Sequence, residues 1–145
     1  MHKWIIGAAA LASALATTPA LAQDSSYKLG PLWTAARIDV VDGQYENYMD
    51  WLNKTWVDNQ AFAKSQGWIL DYYILDNINP RDGEPDLILL TRFADYPSVK
   101  ESDRRSAILN KRMNQDDHSA EAASGQRGSM RKLMGSVLYR ELQKK

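Results

Sequence analysis

Residues 68–76 and 86–93, WILDYYILD and DLILLTRF, are two apolar runs around the turn-forming NINPRDGEP, and each carries a charge, Asp71 and Arg92, within an otherwise buried-looking run. Paired as antiparallel strands, they present unlike faces, because successive side chains point to opposite sides of a sheet. Trp68, Leu70, Tyr72 and Ile74 make one clean apolar set, and Leu87, Leu89, Thr91 and Phe93 make its counterpart. Ile69, Asp71, Tyr73 and Leu75, with Asp86, Ile88, Leu90 and Arg92, make the mixed set. A third run, LWTAARIDVV at 32–41, behaves the same way: Leu32, Ala36, Ile38 and Val40 on one side, Trp33, Arg37 and Asp39 on the other.

Three strands with one mixed face each define a sheet that needs two different covers. Helices supply the first. Between the strands, residues 44–66 switch to helical spacing, with Tyr45, Tyr48, Met49, Leu52, Trp56 and Ala63 in one stripe, Trp51 and Phe62 in a lesser one, and Gly67 as the stop. After Phe93, ADYPSVKES predicts a second helix start, with Pro97 near the first turn and a Ser98–Glu101 capping box. The stretch 116–129, DDHSAEAASGQRGS, is small, polar and Gly-containing, and predicts a loop or partly disordered break. A short amphipathic turn at 129–134 and a last strand at 135–142 follow. The order strand, helix, strand, strand, helix, strand predicts an α+β, ferredoxin-like βαββαβ sandwich: a four-stranded antiparallel sheet with helices on one face.

The other cover is the open question of the fold. Trp33, Ile69, Tyr73, Leu75, Ile88 and Leu90 would expose more apolar area than a monomer ordinarily leaves to water. A second copy related by a two-fold axis is the simplest lid, which predicts a homodimer. The charges Arg37, Asp71 and Arg92 are then expected to form an ion-pair or hydrogen-bond network facing a semi-enclosed space, because an unpaired buried charge is costly. That network reads either as the anchor for a ligand's polar head, walled by Trp33, Tyr73 and Tyr139, or as a structural salt bridge at the interface. Tyr139 and Glu141 share one face of the last strand and Arg140 the other, with no sign in the sequence of which points inward.

The pattern WTAARIDVVDGQYENYMDWLNKTW, then AKSQGWILDYYIL, then PDLILLTRFADYPS resembles the dimeric α+β barrel superfamily, particularly small exported bacterial members related to antibiotic-biosynthesis-monooxygenase-like proteins. The resemblance covers most of the chain after its leader and rests on element order and on the Gly-Gln-x-x-x-Tyr and Gln-Gly-Trp features. It implies a dimeric barrel. Members include cofactor-free monooxygenases acting on aromatic polyketides, haem-binding and haem-degrading enzymes, muconolactone isomerases and stress-responsive proteins, so the fold alone does not choose an activity.

Composition narrows the classes. MHKW, the apolar IIGAAALASALA and the small-residue pattern Ala20-Leu21-Ala22 predict a signal peptide over residues 1–22, a tail at 23–31 and one domain at 32–145, hence a periplasmic or secreted protein. Loss of Lys3 with that leader takes 18 basic residues to 17, against 18 acidic, and so favours no nucleic-acid partner. No later segment is apolar enough to insert in a membrane once the leader is cleaved. The absence of Cys excludes disulfides and thiolate sites. His118 is the one His after the leader, so a multi-histidine metal site is excluded and no metal or cofactor is called for. Haem ligation by His118 is an alternative, and a non-catalytic module of the cell envelope is another. Asp116 and Asp117 read as helix-end solvation ahead of a cation site. No phosphate loop, nucleophile elbow or catalytic carboxylate pair is present; the expected function is binding of a small, partly aromatic molecule in a pocket beside the sheet, with cofactor-free monooxygenase-like chemistry left open.

Overall fold

The computed structural model describes residues 24–145, and the predicted leader at 1–22 lies outside them. The chain is an α+β fold with one four-stranded antiparallel sheet. Strands β1 (Tyr27–Val40), β2 (Asp71–Asp76), β3 (Leu87–Phe93) and β4 (Arg131–Lys144) stand in the order β2-β3-β1-β4. β1 begins at Tyr27 and β4 runs from Arg131, so both are longer than the alternation predicts. The added pairs, from Tyr27 with Lys144 to Val40 with Arg131, come from each strand extending the other. A register shift between Ala36 and Ile38, beside Gly135 at φ 110°, bends β4 without ending it.

The expected first helix is one continuous rod in three parts: α1 (Tyr45–Trp51), a π-helical segment (Leu52–Trp56) and α2 (Val57–Ser65). In the π segment the Val57 N–H reaches back to the Leu52 carbonyl. Tyr48 and Leu52 on this rod, Ile38 on β1, and Leu87 and Leu89 on β3 form the core, all of them buried. The even positions of β1 and the odd positions of β3 therefore face the helices, as the alternation predicts. Trp56 closes one end by meeting Tyr72 edge-on, ring centroids 5.7 Å apart.

β2 corrects the reading of its own entry. Gly67 takes φ +68°, the Trp68 N–H returns to the Ala63 carbonyl, and strand geometry starts only at Asp71. Ile69 is accordingly buried on the helix side, while Leu70 is exposed. Ile69 does not belong to the mixed face.

Helix α3 (Val99–Arg112) starts at Ser98, whose Oγ accepts from the Glu101 N–H at 3.3 Å. Only this half of the expected capping box forms, because the Glu101 carboxylate holds Arg104 and Arg105 instead. The stretch expected as a loop contains a helix, α4 (Asp117–Gln126). Asp116 and Ser119 satisfy each other's backbone N–H groups at 2.8 and 2.9 Å, and Ala120, Ala122 and Ala123 are strong helix formers. Asn114, at φ 50°, turns the chain between the two helices. Among the described residues no helix is long and apolar enough to cross a membrane.

α3 has no buried residue. Polar bridges to α2 hold it, Arg112 to Asp58 at 2.7 Å and the Asn59 amide to the Met113 sulfur at 3.1 Å, together with Arg112 over the Phe62 ring. A helix held this way stands off the sheet and leaves a gap.

Candidate functional site

The open face of the sheet, away from the helices, carries the six residues predicted to hold a ligand. Cross-strand register sets Asp71, Arg92, Trp33 and Tyr139 in one row across all four strands, with Tyr73, Leu90, Ala35 and Val137 in the next. Arg37 lies further along, paired with Ile88 and Leu75 in turn. Trp33 and Tyr73 stack at 6.1 Å, and the Arg92 guanidinium sits 5.4 Å from the Trp33 ring.

The expected network among Arg37, Asp71 and Arg92 does not form. Each charge has its own partner. Arg92 donates from Nη2 and Nε to Glu141 Oε2 at 2.8 and 3.2 Å, and Trp33 Nε1 donates to the same oxygen at 3.2 Å. Asp71 accepts from Lys64 Nζ at 3.0 Å and from the Tyr73 hydroxyl at 2.8 Å. Arg37 Nη2 reaches the Gly83 carbonyl at 3.3 Å. Position in the row is not enough, because Lys64, from the end of α2, and Glu141, from β4, each offer an opposite charge at shorter range.

Glu141 is the residue that the sequence reading did not place. Its bond to Arg92 settles that Tyr139 and Glu141 share the open face, while Arg140 turns to the helix side and donates to the Gly30 carbonyl at 3.1 Å. Hydrogen bonds from Gln143, Trp33 and Arg92 hold the Glu141 carboxyl below its ordinary range. Asp71 is lowered likewise by the Tyr73 hydroxyl, the Lys64 ammonium and the Tyr72 N–H, and the bond to Asp71 raises the Tyr73 phenol. Both carboxylates are thus set as fixed negative charges, not as proton donors near neutrality. A depression of about 420 Å³ beside Arg37, Leu75, Ile88 and Tyr139 is a concavity on this face.

The opposite face holds a cleft of about 310 Å³, in the gap between α3 and the sheet. Its floor is Ala63, Ile69 and Thr91, all buried. Trp68, Phe93 and Tyr96 form aromatic walls, and Gln60, Ser102 and Ser106 bring amide and hydroxyl groups to the rim. Arg105 lines one side but is committed: its Nε donates to Glu101 at 2.7 Å, its Nη1 to the Trp68 carbonyl at 3.2 Å, and its guanidinium lies 5.5 Å from the Trp68 ring. Arg104 and Arg105 together pull the Glu101 carboxyl down to about 2. Phe62 braces the far side of Trp68 edge-on at 5.6 Å.

Among the described residues the cleft lining includes no His, Asp or Glu. The arrangement suits neutral hydrogen bonding and aromatic contact, and it supplies no general base. His118 stands exposed on the first turn of α4, outside this lining. Asp116 is the α4 cap, and Asp117 accepts from the Asn110 amide at 2.8 Å, so both act as helix-end groups.

Sequence reasoning missed the cleft because its walls come from α2, the β2 entry, β3 and α3, and each residue is unremarkable in its own segment. No family model matches the chain, and no curated protein matches it. Among solved structures, a crystal structure of PA3566 from Pseudomonas aeruginosa is similar over 79% of this chain and 94% of that one, at 14% identity and a TM-score of 0.44.

Proposed function

We propose that this chain is an exported, homodimeric protein with a ferredoxin-like α+β domain that binds a small, flat, partly aromatic molecule in the cleft between sheet and α3. The cleft carries the reading. It is concave, mostly apolar, walled by three aromatic rings and rimmed by a few neutral polar groups, which is the ordinary make-up of a small-molecule site. A formally charged ligand is disfavoured, since Arg105 already has its counter-ion in Glu101.

The open face then has a different task. Tyr73, Leu75, Val137 and Tyr139 are exposed on it beside the half-buried Trp33, Ile88 and Leu90, and a second copy laid face to face would bury all of them. The Arg92–Glu141 pair is satisfied within one chain, so it can enter such an interface without leaving a bare charge. Export to the periplasm or beyond rests on the leader sequence at 1–22.

A second reading keeps the ligand on the open face, and the depression beside Arg37 and Tyr139 supports it. The two readings separate in one experiment. With 1,4-naphthoquinone as a flat aromatic probe, tryptophan quenching in the purified protein is expected to saturate. Ser106→Phe, which puts a ring into the cleft from α3, is expected to weaken binding about tenfold or more, a loss of about 1.4 kcal/mol or more. Unchanged binding in Ser106→Phe, with loss in Tyr139→Ala, would move the site to the open face.

A further inference from the structure

Most arginines of the described chain have a carboxylate within salt-bridge range: Arg81 has Glu84, Arg92 has Glu141, Arg104 and Arg105 share Glu101, and Arg112 has Asp58. Arg37, Arg127, Arg131 and Arg140 have none among the described residues; Arg37 and Arg140 instead donate to the Gly83 and Gly30 carbonyls. Arg127 opens the short 3₁₀ turn Arg127–Ser129, and Arg131 is the first residue of β4, paired with Val40. Both residues are half-buried, and the Nε atom of each is buried without a hydrogen-bond partner among the described residues. A buried, unsatisfied guanidinium N–H is uncommon in a native fold and points to an absent acceptor.

Their surroundings fix them. The Arg127 guanidinium carbon sits over Trp51, 4.7 Å from the ring centroid, and Trp51 stacks in turn on Tyr48, 5.7 Å away and 8° from parallel. Tyr48 is fully buried in the core, with its hydroxyl toward Arg131. Arg127 is thus held by the Trp51–Tyr48 stack, and Arg131 lies close enough to act on both Tyr48 and Arg127. Burial, and then the charge of Arg131, press the Arg127 guanidinium below its ordinary range, and no carboxylate offsets them. Two neighbouring cations without a carboxylate between them suit an anion with several acceptor oxygens, which the planar fork of arginine matches.

We propose that Arg127 and Arg131, backed by Trp51 and the Tyr48 hydroxyl, form a binding site for a small phosphate-like oxoanion at the junction of the rod α1 and the start of β4. The site shares no residue with the cleft or with the open-face row. Occupancy ties the β4 start to α1 and stabilises the fold by mass action.

The test is an arginine Nε–Hε NMR titration of the full-length protein with inorganic phosphate, against sodium chloride at the same ionic strength. Phosphate is expected to shift the Arg127 and Arg131 resonances saturably, while Arg81 and Arg92 stay in place and chloride has little effect. Arg127→Lys and Arg131→Lys keep the charge but lose the fork, and each is expected to weaken phosphate binding about tenfold. The Arg92 resonance in each variant reports that the sheet is intact. Equal shifts with chloride, a non-saturating response, or undiminished binding in both lysine variants would each overturn the proposal.

Discussion

Leu52→Ala is expected to lower the unfolding free energy by about 2–5 kcal/mol, the range for emptying a fully buried leucine site in a close-packed core. Leu52 begins the π segment, has no exposed surface, and sits with Tyr48, Ile38, Leu87 and Leu89 where rod and sheet meet. The neighbours that would have to collapse into the gap belong to β1 and β3, which are tied by their ladder and relax little. Ile78→Ala is the matched control: Ile78 is 92% exposed in the turn before β3 and should change stability by about 0.5 kcal/mol or less. Urea unfolding of both variants checks this, and similar losses for the two would show that the core does not sit where the rod crosses the sheet.

The second large effect concerns assembly. Val137 ends its row on the open face, on the edge strand β4 and in register with Ala35, Leu90 and Tyr73, and is 38% exposed in the single chain. Under the proposed dimer, Val137→Glu places an unpaired carboxylate in the interface twice, once from each copy. Burying such a charge costs several kcal/mol per ion, so self-association is expected to weaken by about a hundredfold or more. The fold itself should persist, because in the separated chain the new carboxylate faces water. Sedimentation of wild type and variant at micromolar concentration measures it. A monomeric wild type, or a variant that sediments as an unchanged dimer, would remove the second copy from the account.

Much of the fold is legible in the sequence where one physical signal dominates. The helical stripe through Tyr48, Leu52 and Ala63 and the period-two alternation of β1 and β3 each have a face that must be buried, so their positions are nearly forced. Alternation fails at Ile69 because the backbone there is still leaving Gly67 and has not entered a strand. The helix α4 was obscured by composition: the Asp116–Ser119 cap is present in the sequence, but Gly125 and Gly128 and a polar average argue for a loop. Ion pairing was least legible. Arg92 meets Glu141 because β4 lies beside β1 in one particular register, and register is a property of the assembled sheet. The cleft lies beyond local pattern altogether, since its lining comes from α2, the β2 entry, β3 and α3, and α3 buries no residue of its own.

The central claim is a division of labour: one face of the sheet for a second copy, the other for a ligand. Amide and indole NMR shifts of the ¹⁵N-labelled protein during a 1,4-naphthoquinone titration test it most directly. The account predicts saturable shifts at Trp68, Ile69, Phe93 and Ser106, with Trp33, Tyr73 and Tyr139 unmoved. Shifts centred on Trp33 and Tyr139, with the Trp68 indole silent, would contradict it.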